Sequence, residues 1–235
     1  MAWSLAHPGP VPRRRALRPP HPGTVAPSLR RVRTDRGLDR LITFLDAVVA
    51  IAITLLVLPL VDVLPDEGRT LALGDLLADE AGRFGAFTLS FVVIAQLWLV
   101  HHRIVERVGS YDRPFVLVNL AWTLTIVLLP FATEVVAVYG DERLAIGVYI
   151  GTMTLSSACL TLLTLFTVRR PHLRRHGVDA DEDDPTGAVL TTGTFLLALV
   201  VGVAVPGIGY LALFLLFLPG PLRQLLIRRA RLRPR

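Results

Sequence analysis

Apolar residues along this chain come in runs of about twenty, separated by shorter stretches that are charged or carry Pro and Gly. The runs are continuous instead of alternating, so they predict helices and not strands. Six helices are expected: Leu41–Leu64, Phe84–Val100, Phe115–Val138, Leu144–Val168, Ala188–Val205 and Ile208–Ile227. VPGIG joins the last two and is short enough for a tight hairpin. Each run has the length that crosses the hydrocarbon of a bilayer, where a helix satisfies its own backbone groups. The fold class is therefore an all-α membrane protein with six transmembrane helices.

The flanks behave differently. Residues 1–37 are rich in Pro and Arg (HPGPVPRRRALRPPHPG) and lack hydrophobic periodicity, which predicts a disordered tail. The spanning domain is expected over residues 38–228, with a short basic tail at 229–235. Arginines mark both termini and the segments HHRIVERVGSYDR and RRPHLRRHG, whereas DVLPDEGRTLALGDLLADEAGR and the turn at Asp141 and Glu142 are mainly acidic. The positive-inside rule then puts both termini in the cytoplasm, and an even number of spans agrees. The first helix follows a long polar stretch without a small-residue cleavage pattern, so it is not a removable signal.

Composition supports the membrane reading. Of 235 residues, 52% are hydrophobic, and the mean hydropathy is +0.55. The net charge of +6 comes from arginine alone, since the chain has no lysine. Because those arginines sit between spans, they set orientation, and no nucleic-acid partner is expected; lipid is the surrounding partner. The single cysteine, Cys159, lies in an apolar run, so no disulfide forms within one chain. No phosphate-binding loop, HExxH, G-x-S-x-G, dinucleotide fingerprint or TVGYG filter occurs. No enzymatic activity, metal or cofactor is expected from this sequence, nor a voltage sensor, which needs regularly spaced arginines within a span.

Polar residues inside the spans carry the functional signal. Asp46 lies within the first run, RLITFLDAVVAIAITLLVLPL, where a carboxylate must face protein or water. On a helical wheel Ile51, Leu55 and Leu58 share one face, with Thr54 beside them and Asp46 on another. Such an aliphatic stripe also suits lipid contact or packing. Arg40 and Asp46 are too far apart in azimuth to pair within the helix, so each needs a partner on a neighbour. The second span offers Trp98, His101 and His102, and the third Asn119. Adjacent histidines diverge by roughly 100° on a helix, so His101 and His102 do not chelate one metal. Asn119 reads as interhelical glue.

The string Arg40-x-x-x-Phe44-Leu45-Asp46 followed by AIAITLL resembles the Arg-x-x-x-Phe-Ser-Asp first-helix signature of the transmembrane protein 175 potassium-channel family. SFVVIAQLWLVHHR and NLAWTLTIVLLPFAT are similar to that family's second and third helices. The resemblance implies six-span subunits assembled as homotetramers in a bacterial plasma membrane, with the first helix lining a central pore. It implies that Ile51 forms the main hydrophobic ring, that Leu55 and Leu58 form further rings, and that Thr54 lies near the ion path. It also implies a polar network of Arg40, Phe44, Asp46, Trp98, His101, His102 and Asn119 that holds the pore helix. The permeant ion would be potassium. The signature serine is Leu45 here, which removes a hydroxyl from beside Asp46.

A narrow aliphatic ring favours the cation that gives up hydration water most readily, so potassium should pass better than sodium, modestly and in a leak-like way. Two other classes fit the same residues: a proton-coupled small-solute transporter using Asp46, and a noncatalytic membrane scaffold packed through the first-helix stripe.

Overall fold

The computed structural model describes residues 27–62, 72–140, 142–175 and 185–205, with side chains from residue 36 onward. The described residues form α1 (Pro27–Leu55), α2 (Leu58–Val61), α3 (Leu73–Asp79), α4 (Ala81–Glu106), α5 (Arg113–Tyr139), α6 (Arg143–Arg169), a 3₁₀ turn at Pro171–Leu173 and α7 (Pro185–Ala204). No strand occurs among them. Five segments are long and apolar enough to cross a membrane: Arg36–Val61, α4, α5, α6 and α7. The sixth expected span, Ile208–Ile227, and the basic tail at 229–235 lie outside the described residues, as does most of the 1–37 tail.

Where that tail is described, the expectation changes. The backbone is helical from Pro27, eleven residues before the anticipated domain start. Proline suits a first helical position, and Arg and Leu extend a helix easily once the apolar run beyond has nucleated it. The far end of the first run also departs from one continuous helix. Pro59 has no N–H for the Leu55 carbonyl, so α1 tightens into i to i+3 bonds, Leu56 N to Ile53 O and Val57 N to Thr54 O at 3.3 Å each. The short α2 then restarts with that proline in its first turn. α3 lies in a stretch expected to be loop.

The remaining ends have local causes. At the start of α5 the Asp112 carboxylate accepts from Phe115 N at 3.0 Å, and Pro114 follows. α5 stops at Gly140, whose φ of 53° suits glycine and terminates the helix.

α6 is the hub, packed against α4, α5 and α7, while α1 leans on α4 and α5. α5 buries Phe115, Trp122, Ile126 and Leu129 at helical spacing, and α6 buries Ile146, Ile150, Met153 and Leu163. Hydroxyl contacts pin these helices: Ser90 of α4 lies 2.9 Å from Tyr149 of α6 and 2.7 Å from Thr133 of α5. Ser157 and Thr161 of α6 each meet Thr192 of α7 at 2.8 Å. Interhelical hydrogen bonds of this kind contribute about 0.6 kcal/mol each, so orientation is set by their sum together with close packing.

The segments after α4 and α6 are joined. Gly109 N donates to Leu173 O and Arg175 N to Arg107 O, both at 2.8 Å, around an antiparallel bridge between Val108 and Arg174. A Cβ at Gly109 would lie 2.9 Å from the Arg175 Cα. Gly109→Ala should therefore lower stability by about 1–3 kcal/mol, because two backbones must separate. Gly85→Ala, on a helical site with nothing within 4 Å, should raise it by about 0.5–1 kcal/mol. Thermal unfolding of the two purified variants checks the pair.

Candidate functional site

The candidate site is the outward face of α1 and the polar groups behind it. Along α1 and the turn after it the inward positions Leu45, Val49, Ala52 and Leu56 are buried to 3% exposure or less. Ile51, Leu55 and Leu58 stay 59%, 43% and 54% exposed on the single subunit, and Thr54 is exposed beside them. The four residues expected at a pore are thus together on a face that the subunit does not cover. Successive residues of a helix turn by about 100°, so Ile51 and Leu55 stand roughly 140° and 180° from Asp46, while Leu58 follows the break, at the start of α2. The Thr54 hydroxyl donates to Ile51 O at 2.8 Å, which leaves its oxygen able to accept from the outward side.

Asp46 is half-buried, and its Oδ1 accepts from the Trp98 indole of α4 at 2.8 Å. A carboxylate in an apolar helix needs such a partner, and this bond holds α1 to α4 at a set azimuth. Trp98 stacks on His102 with ring centroids 5.2 Å apart, and His102 Nε2 lies 3.2 Å from Glu106 one turn on. Leu45, in place of the signature serine, is itself buried, so its side chain fills space on the inward face.

The second half of the expected network forms a separate, fully buried unit. His101 Nε2 lies 2.8 Å from Asn119 Oδ1, and Asn119 Nδ2 donates to Phe115 O at 2.8 Å. With its amide nitrogen spent on that carbonyl, Asn119 presents only an acceptor, so Nε2 of His101 carries the hydrogen. The His101 ring stacks on Trp122 at 3.9 Å, the planes 4° apart. Trp122 is the residue that sequence reasoning missed. It sits three positions after Asn119 on the same helical face, which was a readable signal.

Arg40 and Phe44 are not brought into either unit. Both are exposed, and Arg40 makes no hydrogen bond or ion pair among the described residues. By helical azimuth they continue the outward face of Ile51 toward the N-terminal end of α1. No group of three His, Cys, Asp or Glu residues that could hold a metal occurs among the described residues. Behind the break after α1 a shallow open crevice is lined by Leu56, Pro59, Phe87, Pro130, Thr133 and Glu134, among others. Glu134 is a second carboxylate within an apolar helix, half-buried and not singled out by the sequence reading.

Trp98→Phe should lower thermal stability by about 1–3 kcal/mol, since it strips the partner from a half-buried carboxylate while keeping most of the packing. Asp46→Asn in the same background should restore part of that loss, and the unfolding temperatures of single and double variants measure it.

The family model described as endosomal/lysosomal potassium channel TMEM175 matches residues 40–130, which take in the second half of α1, α2, α3, α4 and most of α5. A potassium channel from Streptomyces collinus is 30% identical over 169 residues, covering 70% of this chain and 81% of that protein. The human endosomal/lysosomal proton channel TMEM175 is 26% identical over 157 residues, 65% of this chain, but the match spans only 31% of the human protein. Among solved structures, a crystal structure of a lysosomal potassium-selective channel TMEM175 homolog from Chamaesiphon minutus superposes with a TM-score of 0.63 at 25% identity. It is covered over 94% of its length by 78% of this chain.

Proposed function

The chain belongs to the TMEM175 family of channels, and on that premise we propose that it is a potassium-permeable channel, modestly selective over sodium, whose pore is lined by α1. Four copies gather their α1 helices around one axis in a bacterial plasma membrane. The reading is carried by one observation: Ile51, Leu55 and Leu58 form a continuous apolar face that their own subunit leaves exposed, opposite the Asp46–Trp98 bond. The Streptomyces and Chamaesiphon relatives, both named potassium channels, support it.

In that assembly Ile51 makes the tightest ring. An aliphatic ring offers no oxygen to replace hydration water, so the ion that sheds water at least cost passes best, and potassium sheds it more easily than sodium. Leu55 repeats the constraint about 6 Å further along the axis, and Leu58 of α2 repeats it beyond the break. A slight narrowing empties such a ring of water and closes it. Conduction is leak-like, because no span carries a ladder of arginines to sense voltage. Asp46 and Trp98 set the azimuth of α1, and Thr54 adds an oxygen next to the ring.

Proton passage is a second reading, favoured by the name proton channel carried by the human relative. The transporter and scaffold readings use the same residues but expect no single-channel current. Recording the purified protein in planar bilayers under potassium/sodium bi-ionic conditions separates them. A current reversing on the potassium-selective side is expected, and Ile51→Asn should move that reversal toward zero, by about 59 mV for each tenfold loss of preference. Equal passage of the two ions in the unsubstituted protein, or no response to Ile51→Asn, would refute the ring. A reversal that follows only the proton gradient would favour the second reading.

A further inference from the structure

Three long helices end on the same face of the bundle: α4 finishes at Glu106, α5 begins at Arg113 and α6 finishes at Arg169. Their connections form one seam. Besides the backbone pairing of Gly109 with Leu173 and of Arg175 with Arg107, the Ser110 hydroxyl donates to His172 O at 2.6 Å. Val108 and Leu173 are both fully buried beneath it. The Arg170 guanidinium binds Asp112 across the seam and lies over the Phe166 ring, 4.4 Å from its centroid.

Two carboxylates at this end already have partners. Glu106 faces His102, and Asp112 is held by Arg170, with His172 at 3.9 Å. Arg103, Arg113, Arg169 and Arg175 are exposed and meet no carboxylate among the described residues. The acidic run that follows in sequence, residues 179–184, lies outside the described residues. Four guanidinium groups are thus carried on a stitched frame at the ends of apolar helices, the level at which a bilayer presents its phosphates.

Arginines that only orient a membrane protein need to sit on the right side and need no fixed arrangement. Here backbone hydrogen bonds, two buried apolar side chains and an ion pair hold the segments that bear them. Fixing the backbone that carries these side chains reduces the ordering cost of gripping an anion, and a guanidinium matches phosphate oxygens with two parallel hydrogen bonds. We propose that this seam binds the phosphate of an anionic phospholipid headgroup, with Arg113, Arg169 and Arg175 as its main contacts. The proposal rests on the reading that these helices cross a bilayer.

The test uses the full chain reconstituted into phosphatidylcholine nanodiscs containing phosphatidylglycerol as a minor component. Native mass spectrometry after gentle extraction counts the lipids that stay bound. Phosphatidylglycerol should be retained well above its share of the bilayer, and Arg113→Gln, Arg169→Gln and Arg175→Gln should each lower that enrichment by about fivefold. Arg143→Gln, at the opposite end of α6, should leave it unchanged. Because the single variants are read separately, loss of one to misfolding still leaves the other two to decide the outcome. Equal enrichment in the unsubstituted protein and all three variants would overturn the proposal, as would displacement of the lipid by inorganic phosphate at matched concentration, which would mark a soluble-anion site. A chain recovered from the soluble fraction would instead refute the membrane-spanning reading, so the two failures are distinct.

Discussion

The bond from the Trp98 indole to the Asp46 carboxylate sets the rest of the arrangement. A carboxylate within an apolar helix has to be met by protein or water, and here the partner is on α4. Once that side of α1 is committed, the turn of the helix dictates what is left over. Leu45, Val49, Ala52 and Leu56 go inward, while Ile51, Leu55 and Leu58 are turned away from the subunit. The apolar face is therefore a consequence of where one polar atom is satisfied. It is a large exposed surface for a single chain, and such surfaces mark contacts with lipid or with other subunits.

Away from α1, the same need to satisfy polar atoms fastens the helices to one another. His101 and Asn119 bind α4 to α5, Ser90, Thr133 and Tyr149 join α4, α5 and α6, and Thr192 ties α7 to α6. Aliphatic packing gives little direction in a bilayer, because lipid tails are as apolar as leucine. A few hydroxyl, amide and imidazole groups at the interfaces supply that direction. The frame of α4, α5 and α6 is consequently secured at three levels: the hydroxyl cluster, the imidazole–amide pair and the stitched loops at the arginine-bearing end. α1 is attached to that frame through a single polar side-chain contact among the described residues and through its packed inner face. That is the arrangement expected of an element whose other surface has a separate task.

Much of this was legible from residue order. Runs of about twenty apolar residues marked the spans; four are present as single long helices with ends shifted by a few residues, and the first is a longer helix broken near Pro59. The wheel position of Ile51, Leu55 and Leu58, and the need of Asp46 for a partner, follow from 3.6 residues per turn and the cost of a charge in lipid. The family signature at Arg40, Phe44 and Asp46 pointed to the right relatives. Other features were less visible. Trp122 looked like one more apolar residue in an apolar run, although its spacing from Asn119 placed it on the same face. The onset of α1 at Pro27 was hidden by a Pro/Arg-rich composition that reads as disorder until a strong helix follows it.

Sequence by itself determined where the five described long helices run, which of their residues share a face and which polar groups need a partner, because those properties depend on neighbours within a few residues. Only the tertiary structure decided that Trp98 is the partner of Asp46, that His101 and Asn119 form a separate unit with Trp122, and that Arg40 and Phe44 stand outside both. It alone joined Ser110 to His172, 62 residues away. Such pairings depend on how helices cross and on which loops meet, and that geometry is fixed by the packing of the whole bundle rather than by any local stretch of the chain.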